Sequence, residues 1–251
     1  MAQAAATDFD QIDSEGKVSC DDDDHEVDKT VTNDVRESFS AEIVNDFRTD
    51  EPKVKYPEDI RLHIVGTVAN LTCDEDSIEK LLAQEGFVPA IVDIAKNDPN
   101  EQARQLAVVI FANVSVKPGN TTPLVACPEL LEVLVAAASS TSSATKMYAI
   151  SSLGSLCNFE ANNSILANYD EGAVIRVLTH VISDSKSTSN DARSGAAGAL
   201  LKLTRNSPVS WWDKHGLTLD LLATAVLSDT HISVRVKAAE TLKELSRRLS
   251  T

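Results

Sequence analysis

The stretch Arg235-Val-Lys-Ala-Ala-Glu-Thr-Leu-Lys-Glu-Leu245 carries the pattern that decides the fold. Ala238, Leu242 and Leu245 are spaced four and three residues apart, so they lie on one stripe of an α-helix. Four earlier stretches carry apolar residues at the same three positions, and the ends of successive stretches are 42 to 47 residues apart: Ile64, Val68 and Leu71; Ala107, Phe111 and Val114; Ala149, Leu153 and Leu156; Ala196, Leu200 and Leu203. The sequence therefore predicts a series of related helices.

A second pattern with the same period precedes these stretches. Apolar runs that begin at Gly86, Pro128, Gly172 and Gly216 predict another set of helices, with starts 42 to 44 residues apart. Two independent patterns that share one period indicate a tandem array of helical units. Such a unit buries its apolar face only against its neighbours, so the predicted fold class is all-α, a solenoid of stacked helices.

The helix ends resemble two families of helical repeats. Gly-Thr-Val-Ala-Asn70-Leu-Thr and Val-Ile-Phe-Ala-Asn113-Val-Ser are similar to the end of the armadillo third helix, whereas the Asp229-to-Arg235 spacing, repeated from Asp98 to Arg104, is similar to HEAT repeats. The resemblance covers residues 57–251. It implies a right-handed α-α superhelix of armadillo/HEAT type that binds a partner protein or an extended peptide along its surface.

The armadillo resemblance also implies candidate binding residues. In that family a row of third-helix Asn residues holds the backbone of an extended peptide, because a carboxamide both donates and accepts hydrogen bonds. Asn70 and Asn113 match that row, and we expect Ser155 and Asn158 to extend it. The alternative is that both matching Asn residues only finish their helices or bond within the array. At the later positions of the row stand Lys202 and Glu244.

The position four residues before the Asn row departs from one armadillo subfamily. Nuclear-import adaptors place Trp there, whereas this chain has Gly66, Val109, Ser151, Gly198 and Glu240. We therefore do not expect a receptor for nuclear-localisation signals.

A row of basic residues precedes the Asn row by nine residues. At 3.6 residues per turn this places the two rows on opposite sides of the helix. The members of the basic row are Arg61, Arg104, Lys146, Arg193 and Arg235. A cation near a helix N-terminus opposes the helix dipole, so we expect acidic partners such as Asp98 and Asp229 and bonding between units. The alternative is a basic strip that accepts an acidic segment as a lid.

That acidic segment is the N-terminal part of the chain. Residues 1–51 contain 16 Asp or Glu and 4 Lys or Arg, a net charge of −12, and the remaining residues carry −3. We predict a disordered acidic tail at 1–33, a capping helix and linker at 34–56, and the repeat domain at 57–251. The capping helix is predicted from apolar residues at helical spacing: Val35, Phe39, Ile43, Val44 and Phe47. The alternative is that this helix binds in a groove of another protein.

Several function classes are disfavoured. The net charge of −15 opposes nucleic-acid binding, and no apolar run approaches the length of a membrane span. The five His residues form no metal-binding motif and no phosphate-binding loop occurs, so we expect neither an enzyme nor a cofactor or metal site. The first residues lack the pattern of a secretory signal, which predicts a cytoplasmic or nuclear protein.

These observations predict a non-enzymatic scaffold or adaptor that binds a partner protein or extended peptide along the superhelix. The alternative is a regulatory subunit or chaperone-like assembly factor whose acidic tail contacts a basic client.

Overall fold

The computed structural model describes residues 58–206, 212 and 216–249. The predicted tail at 1–33 and the capping helix and linker at 34–56 lie outside these ranges. Every regular element in the described ranges is a helix: α1 Glu58–Leu71, α2 Glu75–Ala83, α3 Phe87–Asn97, α4 Glu101–Ser115, α5 Pro118–Val125, α6 Pro128–Ala138, α7 Ser143–Leu156, α8 Glu160–Asn168, the 3-10 helix Tyr169–Gly172, α9 Ala173–Ser183, α10 Asn190–Asn206, α11 Gly216–Ser228 and α12 Ile232–Leu249.

The helices repeat as units of three, and each unit ends in its longest helix. Helices α2 to α4 and α5 to α7 form two such units, and α8, α9 and α10 form the next. The third helices α1, α4, α7, α10 and α12 pack side by side in chain order, and the second helices α3, α6, α9 and α11 form a parallel layer behind them. The predicted all-α solenoid is confirmed.

The three apolar positions that repeat in the sequence lie where successive third helices meet. Ala107, Ala149, Ala196 and Ala238 have no exposed surface, and the Leu and Phe residues four positions later are buried or packed against the core. Because alanine is small, helices that meet at these positions can approach closely. The sequence pattern therefore marks the contacts between units.

Two of the second helices are preceded by a glycine in the left-handed backbone conformation. Gly86 precedes α3 with φ of 92°, and Gly172 precedes α9 with φ of 86°. Only glycine takes such angles without steric strain. Pro128 starts α6, where its missing N–H is not needed by the helix. These residues explain why the second repeat pattern of the sequence begins on Gly or Pro.

Buried asparagine side chains cap the C-terminal ends of the third helices α4 and α7. The side-chain amide of Asn120 donates to the carbonyl oxygen of Val114 at 3.1 Å, and that of Asn162 donates to the carbonyl oxygen of Leu156 at 3.1 Å. Each contact satisfies a carbonyl that the end of a helix leaves without an intrahelical donor. Asn120 and Asn162 are 42 residues apart, which is the period of the repeat, so the same contact recurs in successive units.

Ion pairs join successive units through the basic row. Arg61 Nε lies 3.1 Å from Asp98 Oδ2, Lys146 Nζ lies 3.6 Å from an Asp184 carboxylate oxygen, and Arg193 contacts Asp229. In each case the basic residue belongs to one unit and the Asp to the next. The structure thus supports bonding between units. Asp98 is the partner of Arg61 in the preceding unit, and Arg104, six residues after Asp98, donates to the backbone oxygens of Asp98 and Pro99 and not to that carboxylate.

No single helix in the described ranges is both long and apolar enough to cross a membrane. One bent pair, Gly119–Val125 with Pro128–Ala138, meets the length and composition criteria only when its two helices, 92° apart, are taken together.

Replacing Gly172 by Ala tests the left-handed start of α9. We expect the free energy of unfolding to fall by about 1 kcal/mol, because alanine is strained at positive φ. Gly154→Ala is the matched control: its Cβ would meet nothing within 4 Å inside α7, so we expect a gain of about 0.5–1 kcal/mol. Urea unfolding followed by circular dichroism measures both. Equal destabilisation by the two variants would contradict the assignment.

The Arg193–Asp229 pair should contribute most among the links between units. The two side chains are 2% and 3% exposed, so Arg193→Met leaves a carboxylate buried without its cation. We expect a loss of about 3–5 kcal/mol in urea unfolding. Arg235→Met is the control, since Arg235 stands in the same row but is exposed, and it should change stability by no more than about 0.5 kcal/mol.

Candidate binding surface

The exposed side of the third-helix layer forms one continuous surface, on which α1, α4, α7, α10 and α12 lie side by side. Its floor consists mainly of small residues, at the positions where the nuclear-import adaptors carry Trp: Gly66, Val109, Ser151 and Gly198, followed by Glu240. Small residues leave room for a chain to lie across α1, α4 and α7, whereas the side chain of Lys237 covers Gly198 on α10. The floor provides no aromatic pocket for a basic side chain.

The predicted binding residues all lie on this surface. Asn70 is the last residue but one of α1 and is exposed, and Asn113 and Ser155 occupy the same position near the ends of α4 and α7. Asn158 is exposed just beyond α7. Since α1, α4 and α7 pack against one another in order, Asn70, Asn113 and Ser155 form a row across three units.

Asn113 is bound within the array. Its side-chain amide donates to Thr72 Oγ1 of the preceding unit at 3.0 Å, and the Thr72 hydroxyl in turn donates to the carbonyl oxygen of Ala69 at 2.7 Å. This contact orients the Asn113 carboxamide and keeps its oxygen available as an acceptor. The alternative that this residue bonds within the array therefore holds for its amide group.

The other three predicted residues differ from Asn113. Within the described ranges, the side chains of Asn70, Ser155 and Asn158 make no hydrogen bond to the protein. An amide or hydroxyl on such a surface can donate to and accept from the backbone of an extended peptide. The row therefore combines one oriented carboxamide with three polar side chains that the array does not use.

The part of the surface on α10 carries positive charge, whereas α12 presents Glu240 and Glu244. Lys202 continues the Asn row on α10 and is half-buried, and it makes no ion pair within the described residues. Burial lowers the pKa of Lys202, and the nearby charge of Lys237 lowers it further, whereas Cys157 opposes this shift. Lys237 lies across Gly198 and donates to the carbonyl oxygen of Ser194 at 3.1 Å. Arg205 is exposed one turn beyond Lys202.

From the sequence, Lys202 is visible only as a departure from the Asn row. A local signal existed, because no acidic residue stands three or four positions from Lys202 to pair with it on the helix. The proximity of Lys237 could not be foreseen, since it depends on how α12 packs against α10.

Reactive groups are scarce on the described part of the surface. Cys157 is buried below Lys202, and burial raises the pKa of its thiol to about 12, which keeps it protonated at neutral pH. No group of three His, Cys, Asp or Glu side chains in the described ranges could hold a metal ion.

Known proteins share the fold of this chain at low sequence identity. No protein-family model and no curated protein matches the sequence. A computationally designed armadillo repeat protein for modular peptide recognition is 15% identical, with 86% of this chain and 94% of that chain covered and a TM-score of 0.67. A designed armadillo repeat protein in complex with the peptide (KR)4 is 17% identical, with 84% of each chain covered and a TM-score of 0.65.

A third structure, an engineered protein, is 18% identical, with 87% of this chain and 90% of that chain covered and a TM-score of 0.63. At these identities the likeness concerns the fold. The chain has an armadillo-like repeat fold, as the endings at Asn70 and Asn113 predicted.

Proposed function

We propose that this protein is a non-enzymatic scaffold that binds an extended segment of a partner protein across its third helices. The observation that carries the proposal is the row formed by Asn70, Asn113 and Ser155 on three adjacent helices, with Asn158 beside it. Two of the structurally similar proteins support it, since one is described as designed for modular peptide recognition and another was solved in complex with a peptide.

The surface suggests which peptides fit. Its first half presents uncharged amides and hydroxyls, which suit any peptide backbone. In its second half α10 presents Lys202 and Arg205, and α12 presents Glu240 and Glu244. A half-buried ammonium group without an acidic partner gains more from a carboxylate than an exposed one, because water screens it less. A segment with an acidic residue over α10 is therefore favoured over a basic one.

Peptide selection on the full-length chain tests the function. Random linear peptides displayed on phage provide the probe, and the affinity of an enriched peptide is then measured by fluorescence polarisation. We expect Asn70→Ala, Ser155→Ala and Asn158→Ala each to weaken binding about threefold, since each removes a hydrogen bond to the peptide. These three residues are chosen because the array does not use their side chains, so folding should be preserved.

Asn168→Ala is the matched control for this test. Asn168 is also an exposed asparagine, but it lies on α8 and donates to the carbonyl oxygen of Ser164 at 2.7 Å. Its replacement should leave the affinity unchanged. Enriched peptides that bind all four variants equally well would show that the third-helix row is not the binding surface.

A second candidate function follows from the charge distribution. A regulatory subunit or assembly factor would use the acidic residues of 1–51, with their net charge of −12, to contact a basic client. Binding of polylysine provides the test. For this candidate, deletion of residues 1–30 abolishes binding and added salt weakens it, whereas the scaffold function predicts that the deletion leaves affinity for the selected peptides intact.

A further inference from the structure

At three junctions between units an Asp carboxylate pairs with the basic row, and at two of them it also accepts from the backbone N–H two residues later. Asp98 follows α3, and its Oδ1 accepts from the backbone N–H of Asn100 at 2.8 Å while its Oδ2 accepts from Arg61. Asp229 follows α11 and likewise accepts from the backbone N–H of His231 at 2.8 Å while it pairs with Arg193. Asp184 pairs with Lys146 at the junction between α7 and α9.

The junction between α4 and α6 lacks this carboxylate. Ser140 stands 42 residues after Asp98, and its Oγ accepts from the backbone N–H of Ser142 at 3.1 Å, which is the same turn that Asp98 makes with Asn100. Arg104 stands in the basic row at the position that Arg61 holds one unit earlier. The hydroxyl of Ser140 carries no charge to pair with it.

The side chain of Arg104 consequently contacts backbone atoms of its own unit. Its Nη1 donates to the carbonyl oxygens of Asp98 at 2.6 Å and Pro99 at 3.2 Å, and no carboxylate of the described residues pairs with its guanidinium. Arginine carries five donors in a planar fork that matches a carboxylate. Its Nε and Nη2 are not engaged by these contacts.

A cleft of about 480 Å³ opens at this junction. Arg104 and Ser140 both line it, together with the ends of α3 and α6 and the beginnings of α4 and α7. Lys96 and Glu132 also line it and pair with each other at 2.7 Å, so their charges offset. Glu101 also lines the cleft, one turn before Arg104 on α4, and its side chain is exposed, so water screens its charge. Arg104 is the cation of this lining that no carboxylate of the described residues pairs with.

One residue of the cleft lies on the helix face of the candidate binding surface, whereas Arg104 itself lies half a turn away from the Asn row. Gln105 lines the cleft, stands four residues before Val109 on the same stripe of α4 and donates to Ser142 Oγ across the junction at 3.3 Å. A segment that crosses the third helices could therefore place a side chain into the cleft.

We propose that this cleft binds the carboxylate of an Asp or Glu side chain from the bound partner, which completes the row of ion pairs by accepting from Arg104. The partner as the source of the carboxylate rests on the proposed function. The carboxylate site itself does not, and small carboxylates test it separately.

The first experiment fills the site from within the full-length chain. Ser140→Asp restores the residue found at the other junctions, so we expect the melting temperature to rise by about 2 °C at low salt. Ser140→Asn has the same shape without the charge and should give no such gain. The gain should also disappear in the Arg104→Met/Ser140→Asp double variant. A gain that survives Arg104→Met, or no gain at all, would overturn the site.

The second experiment adds a carboxylate from outside. Sodium acetate, compared with sodium chloride at equal ionic strength, should shift the NMR signal of the Arg104 side-chain Nε–H in the wild-type chain. The shift should be absent in Ser140→Asp, whose own carboxylate occupies the cleft. An equal shift in both proteins would mean that acetate binds elsewhere and would refute the proposal.

The third experiment tests the source of the carboxylate. Among peptides selected on the full-length chain, we expect those with Asp or Glu to lose about tenfold in affinity with either Arg104→Met or Ser140→Asp. Arg235→Met, which removes an exposed cation from the same row, should have no effect. If the first two experiments succeed and the peptides are insensitive to both changes, the site stands and its assignment to the partner's side chain is wrong.

Discussion

Each helix of this protein can bury its apolar face only against helices of its own or the neighbouring unit, and the rest of the structure depends on that constraint. Ala107, Ala149, Ala196 and Ala238 stand without exposed surface where successive third helices meet. Close approach at these positions also brings polar groups into the seam, where they must be paired. The hydroxyl of Ser152 accordingly donates to the carbonyl oxygen of Phe111 in the preceding unit at 3.2 Å.

The same constraint determines how the chain uses its positive charges. A basic residue near the start of each third helix lies beside the turn of the next unit, and an Asp in that turn neutralises it at three junctions. These three cations are therefore paired within the array. The exceptions are informative: Arg104 faces a serine, and Lys202 replaces the amide of its row. Arg104 stands where the basic row lacks its Asp partner, and Lys202 stands where the Asn row departs from its own pattern on the third-helix surface.

The repeat pattern made much of this architecture predictable. Spacings of three and four residues identify a helical stripe, and its recurrence indicated the order of the units before any contact was known. The glycines that start α3 and α9 were also visible, because their conformations are local. By contrast, Asp98 and Arg104 are six residues apart and suggested a pair within one unit, whereas the carboxylate binds Arg61, 37 residues away. The buried roles of Asn120 and Asn162 were missed for the same reason: both depend on the turn into the next helix.

The sequence by itself determined the helical units, their number and order in the matched region, and the surface that carries Asn70, Asn113, Ser155 and Asn158, because helical periodicity is a property of neighbouring residues. The tertiary structure decided which charged side chains form ion pairs between units and which do not. That outcome depends on distances between side chains 36 to 43 residues apart. Those distances arise only when the third helices pack. Among the residues that the structure describes, the missing carboxylate opposite Arg104 and the lack of an ion pair at Lys202 are therefore properties of the assembled array.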